Sequence, residues 1–291
     1  MSVSVVITCW NGMSLLEKNF PTVLVAARNP KNKISEIIIV DDDSADNSVE
    51  YIRQLIKQNP EISIRLVKHP KNLGYAAVCN TGVKNALNDL VVILNLDVLP
   101  SENFLEYALP HFEDKKVFAV SFNEGKFGPG KIVWKNGFLE IVSTPIPNET
   151  TLTDWPSGGS SIFRKSLWEK LGGMDEIFLP FYFEDIDIGL RARKLGYKCL
   201  WEPKAKVIHQ HESTINVENF RKYQRRQNVP LIKERNYLLL VWKNLDKDHP
   251  LKDHLKTLLG RFLKNPGYLK VVLLAFLRKL VFSFKNEEVQ N

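Results

Sequence analysis

EIIIVDDDSADNS, residues 36–48, is the stretch whose reading decides the fold. Glu36 to Val40 is a short, β-branched, apolar run of the kind that forms a strand buried on both faces of a parallel sheet. Asp41, Asp42 and Asp43 emerge from its carboxyl end, and Ser44 and Asp46 after them resemble helix-start residues. Ligands of open α/β sheets gather at such strand ends. Three adjacent acids cannot all cap one helix. At least one is free to accept a hydrogen bond from a base or ribose, and solvation accounts for the other two.

Outward from that strand, Val3 to Cys9, Ile34 to Val40, Ile62 to Lys68 and Val91 to Leu94 read as strands separated by helical stretches. The alternation predicts an α/β fold with a mostly parallel central sheet and flanking crossover helices. No G-x-G-x-x-G follows the first strand, which disfavours a dinucleotide oxidoreductase. Val91 to Leu94 leads into Asn95, Leu96 and Asp97, after which Pro100 stops the strand and Ser101 is placed to cap a following helix. On an extended chain Asn95 and Asp97 face one side and reach a Mg²⁺ or Mn²⁺ that also holds a diphosphate. The same residues also suit a plain turn.

A further acidic station lies in FYFEDIDIGLRARKLGY, residues 181–197, where Glu184, Asp185 and Asp187 open a basic amphipathic helix behind Phe181, Tyr182 and Phe183. Unpaired carboxylates are costly to bury, so the cluster implies strong local hydrogen bonding or a working cleft. Helix capping is the alternative. Arg191 and Arg193 suit pairing with nearby acids. His209 and His211, two apart, would face one side of a strand, and imidazole is a common metal ligand. Residues 123–156 are rich in Gly, Pro and Asn, with strand-like pieces at Lys131 to Trp134 and Phe138 to Val142, and are expected to wall the cleft. At their end Trp155 offers a flat face to a sugar or to the core, and Gly158 and Gly159 permit close approach.

At 291 residues and 44% hydrophobic, the chain can bury one large core plus an appendage. Cys9, Cys79 and Cys199 show no zinc spacing, so reduced core positions and a cytosolic setting are expected. No signal peptide is seen before Val3. Residues 251–285 hold eight Lys or Arg against Asp253 alone, which matches the net charge of the whole chain, +7. The balanced remainder argues against a nucleic-acid-binding body. In the tail, Leu251, Leu255, Leu258, Leu259, Phe262 and Leu263 follow helical spacing, Asn265, Pro266 and Gly267 interrupt, and Val271 to Leu277 resumes the apolar character. A spanning helix needs roughly 20 apolar residues, so this broken segment reads as interfacial, with a homodimer face or core packing as alternatives.

Taken in order, these stations resemble the family 2 glycosyltransferases of the GT-A fold, and most nearly their rhamnosyltransferase-like and galactofuranosyltransferase-like branch. The resemblance spans roughly Ser2 to Thr214. VSVVITCWN (3–11) is similar to the family's first strand and donor loop, IIIVDDDSADNS to its nucleoside-binding segment, and NLGYAAVCNTG (72–82) to the segment after its third strand. Asn95 to Asp97 is an Asn-x-Asp variant of the metal motif, and residues 157–214 resemble the acceptor half.

The resemblance implies a nucleotide-diphospho-sugar transferase with a catalytic domain over residues 1–215, whose halves are 1–100 and 101–215, and a basic helical extension over 216–291. It implies nucleotide-sugar contacts from Thr8, Asn11, Asp41, Asp42, Asn72, Gly74 and Asn95. Asp97 and His209 would hold Mg²⁺ or Mn²⁺, Trp155, Gly159 and Glu184 would meet the sugars, and Asp185 would be the general base. Inverting transfer agrees with that set: one carboxylate takes the acceptor proton and a metal neutralises the leaving diphosphate, with no second acid required. The implied acceptor is a lipid-linked or cell-surface glycan, reached from the cytoplasm at the inner face of the membrane. A nucleotidyltransferase and a catalytically silent glycan-binding module are the alternative readings.

Overall fold

The computed structural model describes residues 1–210, 228–246 and 251–290, and for 284–290 only the course of the backbone. Strands β1 (Val3–Cys9), β2 (Ile34–Asp41), β3 (Ile64–Lys68) and β4 (Leu90–Asn95) are mutually parallel and are joined through helices α1 (Met13–Arg28), α2 (Ser48–Gln58) and α3 (Tyr75–Asn85). Side chains alternate between two cores, as a strand buried on both faces requires. Val5, Ile7, Ile37, Ile39 and Val92 pack with Leu16 and Phe20 of α1 and Ile52 of α2. Val6, Ile38, Val40, Val91 and Ile93 pack with Ala76, Cys79 and Val83 of α3.

The chain continues through β5 (Val98–Pro100), β6 (Val117–Asn123), a separate hairpin of β7 (Gly130–Lys135) and β8 (Phe138–Ser143), then β9 (Thr151–Thr153) and β10 (Ser160–Arg164). Helices α4 (Lys165–Lys170) and α5 (Glu184–Lys194) precede the long β11 (Lys198–His209). The main sheet runs β3-β2-β1-β4-β10-β6-β11-β5, with β9 on β11. The antiparallel β10 between β4 and β6 brings residues 157–160 beside the carboxyl end of β4.

The helix expected after Ser101 does not form. Residues 102–108 are turns, followed by a 3₁₀ helix over Leu109–Glu113. Buried Asn32 takes the backbone groups an α-helix would satisfy internally: its Oδ1 accepts from Leu105 N at 3.0 Å and its Nδ2 donates to Glu102 O at 2.7 Å. Pro100 ends a second strand, β5, while β4 stops at Asn95.

Helices α6 (Val229–Asn244), α7 (Leu251–Lys264) and α8 (Tyr268–Gln290) share a third core with β8 and α5. Leu238 to Val241, Leu258, Tyr268 and Ala275 are buried with Phe138 and Leu139 of β8, Ile177, Phe178, and Ile186 and Leu190 of α5. Among the described residues no helix is long and apolar enough to cross a membrane. The three cysteines are buried and unpaired, and burial pushes the Cys9 thiol up to about 12.

Candidate active site

The ends of β1, β2 and β4 form one rim. Asp41 and Asp42 are buried, so solvation applies only to Asp43, which is exposed in the left-handed region at φ 61°. Both Asp42 oxygens are engaged: they accept from Leu73 N at 2.8 Å, from Gly74 N at 2.8 Å and face His69 Nδ1 at 2.7 Å. Asp42 therefore fixes the 72–74 turn, where Gly74 has φ +88° and an added Cβ would come within 2.7 Å of Leu179. Asp41 differs. Its Oδ1 accepts from Ser44 N at 3.1 Å, and its buried Oδ2 has no hydrogen-bond donor. Asn11 stitches the rim through Ala45 N at 2.7 Å, and exposed Asn72 donates to Asp42 O at 3.3 Å.

Extended geometry ends at Asn95, with Leu96 and Asp97 in a turn, so the two side chains enter different networks. Asn95 Oδ1 accepts from Tyr75 OH at 2.9 Å and Thr8 Oγ1 at 3.2 Å, and Tyr75 OH also reaches Gly158 O at 2.9 Å. Gly159 is small for the sake of Asn95, because a Cβ there would come within 2.2 Å of the Asn95 amide. That closeness by itself requires a glycine.

Asp97, 2% exposed, lies 3.3 Å from His209 Nε2, and His209 Nδ1 lies 3.0 Å from Glu124 Oε2. Burial alone would lower the His209 pKa, but the two carboxylates raise it to about 9, so the imidazole is charged at neutral pH. Glu124 also accepts from Ser157 Oγ at 3.0 Å and from Ser160. Burial opposes its charge, yet these partners hold its carboxyl below the usual range. Sequence reasoning missed Glu124. Its signal was present, since VFAVSFNE (117–124) is another apolar run ending in an acid. His211 lies outside the described residues.

On the facing side, Tyr182 and Phe183 hold φ of 79° and 78° and deliver the chain into α5. Asp185 Oδ2 accepts from Gly158 N at 3.2 Å and Oδ1 from Ile186 N at 2.8 Å. Burial raises the Asp185 pKa, with these backbone bonds opposing it. Neighbouring Glu184 is buried, its Oε2 has no partner, and burial together with Asp185 pushes it up further. Asp187 is a structural ion-pair member, 2.8 Å from Arg191 and 2.7 Å from Lys243 of α6. Arg193 pairs with Asp154. Asp185, Glu124, Trp155, Trp201 and Phe127 line one cavity of about 230 Å³. Trp155 also packs against the third core, and an added Cβ on Gly130 would meet its ring at 2.1 Å.

Among the described residues, no three His, Cys, Asp or Glu side chains are arranged to hold a metal ion. Asp97 and His209 supply one oxygen and one nitrogen donor of types that Mg²⁺ and Mn²⁺ accept, leaving positions for phosphate oxygens. The donor chemistry fits such an ion once His209 is neutral.

Residues 4–172 match the model of the family described as Glycosyl transferase family 2. A poly-beta-1,6-N-acetyl-D-glucosamine synthase of Staphylococcus aureus (strain COL) is 28% identical over 209 residues, 70% of this chain and 48% of that protein. A pre-mycofactocin glycosyltransferase of Mycobacterium tuberculosis is 29% identical over 188 residues, 62% of this chain and 38% of the relative. The chain thus spans at most about half the length of these curated relatives. Its fold resembles GalNAc-T7 with UDP, GalNAc and Mn²⁺ (TM-score 0.66, 17% identity, 85% of this chain and 48% of that one). It also resembles a mannosyltransferase from Pyrobaculum calidifontis with GDP-Man and Mn²⁺ (TM-score 0.60, 17% identity, 99% and 80%). The curled mixed sheet with flanking helices is that of the GT-A transferases, and the chain belongs to glycosyl transferase family 2.

Proposed function

We propose that the chain is an inverting, metal-dependent glycosyltransferase that moves a sugar from a nucleoside-diphospho-sugar to a hydroxyl of a glycan acceptor. The observation that carries this reading is one cavity bounded by Asp185 and Glu124, with Glu124 leading through His209 to Asp97. Asp185 takes the acceptor proton. Its raised pKa strengthens it as a base while leaving it ionised near neutrality. Asp97 and neutral His209 would hold a divalent cation, which when bound would supply charge neutralisation to the diphosphate. Asp41, whose Oδ2 lacks a donor, is the rim acid suited to accept from a base or ribose. Asn11, Asn72 and the Thr8–Asn95 pair shape the same rim, Trp155 and Trp201 offer flat faces to a sugar, and neutral Glu184 can donate to a sugar oxygen.

The same reading places the protein at the inner face of the cell membrane with a lipid-linked or cell-surface glycan as acceptor. The support is an exposed apolar row on α7, Leu251, Leu255, Leu259 and Leu263, continued on α8 by Leu269, Leu273, Phe276 and Leu277. Exposed Lys252, Lys256, Lys264 and Lys270 accompany it, suiting anionic lipid. A thermal-shift panel of nucleotide-sugars, including UDP-N-acetylglucosamine, with and without Mn²⁺ tests the donor reading. A metal-dependent rise in melting temperature for one donor supports it; no rise for any donor refutes it.

A further inference from the structure

Asn236 of α6 is fully buried, and its amide nitrogen is directed at main chain. Its amide nitrogen donates to Phe178 O, to Phe181 O at 2.8 Å and to Tyr182 O at 3.3 Å, so two hydrogens are shared among three carbonyls. The orientation of that amide is set by its neighbour: Asn236 Oδ1 accepts from Arg235 Nε at 2.9 Å and from Nη2 at 2.8 Å. Arg235 Nη2 also donates to Leu179 O at 2.6 Å. One dipeptide on α6 thereby holds four carbonyls of the segment that leads into α5.

That segment needs holding. Tyr182 and Phe183 are consecutive non-glycine residues with φ near 79° and 78°, a region that side chains disfavour. Such conformations persist when surrounding contacts over-determine them, and they cluster where a functional group must be aimed. Asp185 follows two residues after Phe183. The opposite side of the segment meets the donor rim, since Tyr75 N donates to Pro180 O at 3.1 Å and Gly74 closes on Leu179.

We propose that Asn236, oriented by Arg235, is a positioning residue for the 181–183 turn and, through it, for the Asp185 carboxylate. The inference rests on the reading of Asp185 as the base. The amide's donors are what the geometry uses. Aspartate at 236 keeps the size but turns an acceptor toward three acceptors, and alanine leaves the carbonyls without a partner.

The test compares Asn236→Asp, Asn236→Ala and Arg235→Met with Leu258→Ala in the intact chain. Leu258 is buried in the same core, on α7, and makes no hydrogen bond to the turn through its side chain, so its truncation reports loss of core stability. Expected for Asn236→Ala and Asn236→Asp are a kcat lowered on the order of tenfold to a hundredfold at unchanged donor Kd, and a shifted acidic limb of the pH–rate profile. Arg235→Met should move both readouts in the same direction by less, and it serves if the Asn236 variants do not fold. Leu258→Ala should lower the melting temperature and leave kcat and the pH profile in place. Inactive Asp185→Asn together with Asn236 or Arg235 variants of wild-type kcat and pH profile overturns this inference alone. An active Asp185→Asn overturns both it and the reading it rests on.

Discussion

The Gly158 main-chain N–H donates to Asp185 Oδ2 over 3.2 Å, joining the approach to β10 to the first turn of α5. Gly158 O meanwhile accepts from Tyr75, which also holds Asn95 at the end of β4. The Asp185 carboxylate is therefore registered against the end of β4 by a glycine backbone. An added Cβ on Gly158 would stand 3.2 Å from the Asp185 Cβ.

Replacing the base should separate chemistry from binding. Asp185→Asn keeps size and can still accept from Gly158, but it cannot take a proton, so kcat should fall by about 10²–10⁴. Donor affinity by calorimetry should be unchanged. Asp187 is no substitute base, being paired with Arg191 and Lys243.

Acid should inactivate the enzyme early. Burial disfavours the charged form of Asp185, so its pKa lies above the ordinary 3.8 and the active, ionised form is lost as pH falls through that raised value. For Glu184 the folded-state pKa is raised above 4.5. Its contribution to stability is complete below 4.5 and is lost as pH rises through the folded value. Melting temperature measured against pH should decline between about 4.5 and about 8, and Glu184→Gln should flatten that decline.

Metal binding should depend on Asp97. In Asp97→Ala, the Mn²⁺-dependent thermal shift with donor should disappear along with turnover. A shift of wild-type size would place the cation elsewhere.

Membrane binding should be removable by point substitution. Truncating the C-terminal helices would strip Leu258, Tyr268 and Ala275 from the third core, whereas Leu255 and Leu259 are 52% and 59% exposed. Leu255→Glu with Leu259→Glu should abolish recovery on anionic liposomes at unchanged melting temperature, and salt should weaken the wild-type binding. A wild-type chain that ignores liposomes and is dimeric would assign the row to a second copy.

The parallel half of the fold was legible because its strands are short runs dominated by aliphatic and β-branched residues, with acids following β2 and β4, and β1 to β4 fall within two residues of the sequence expectation. The helix after Ser101 was not, because its competitor, Asn32, lies 70 residues away from Glu102 along the chain. The same holds at the site. Asp41 and Asp42 look equivalent in sequence, yet only tertiary contacts reveal that Asp42 is occupied with the 72–74 turn and that Asp41 keeps an oxygen without a donor. Glu124 and Asn236 gain their significance from pairings across the fold, with His209 and with residues 178–182, that no local pattern encodes.

The central claim, transfer of a sugar from a nucleoside-diphospho-sugar with Asp185 as base, is tested most directly by identifying the nucleotide product. Wild-type protein incubated with the donor selected by thermal shift, Mn²⁺ and a glycan acceptor should release free nucleoside diphosphate in step with glycosylated acceptor, and Asp185→Asn should release almost none. Pyrophosphate in place of nucleoside diphosphate, or equal release by Asp185→Asn, would contradict it.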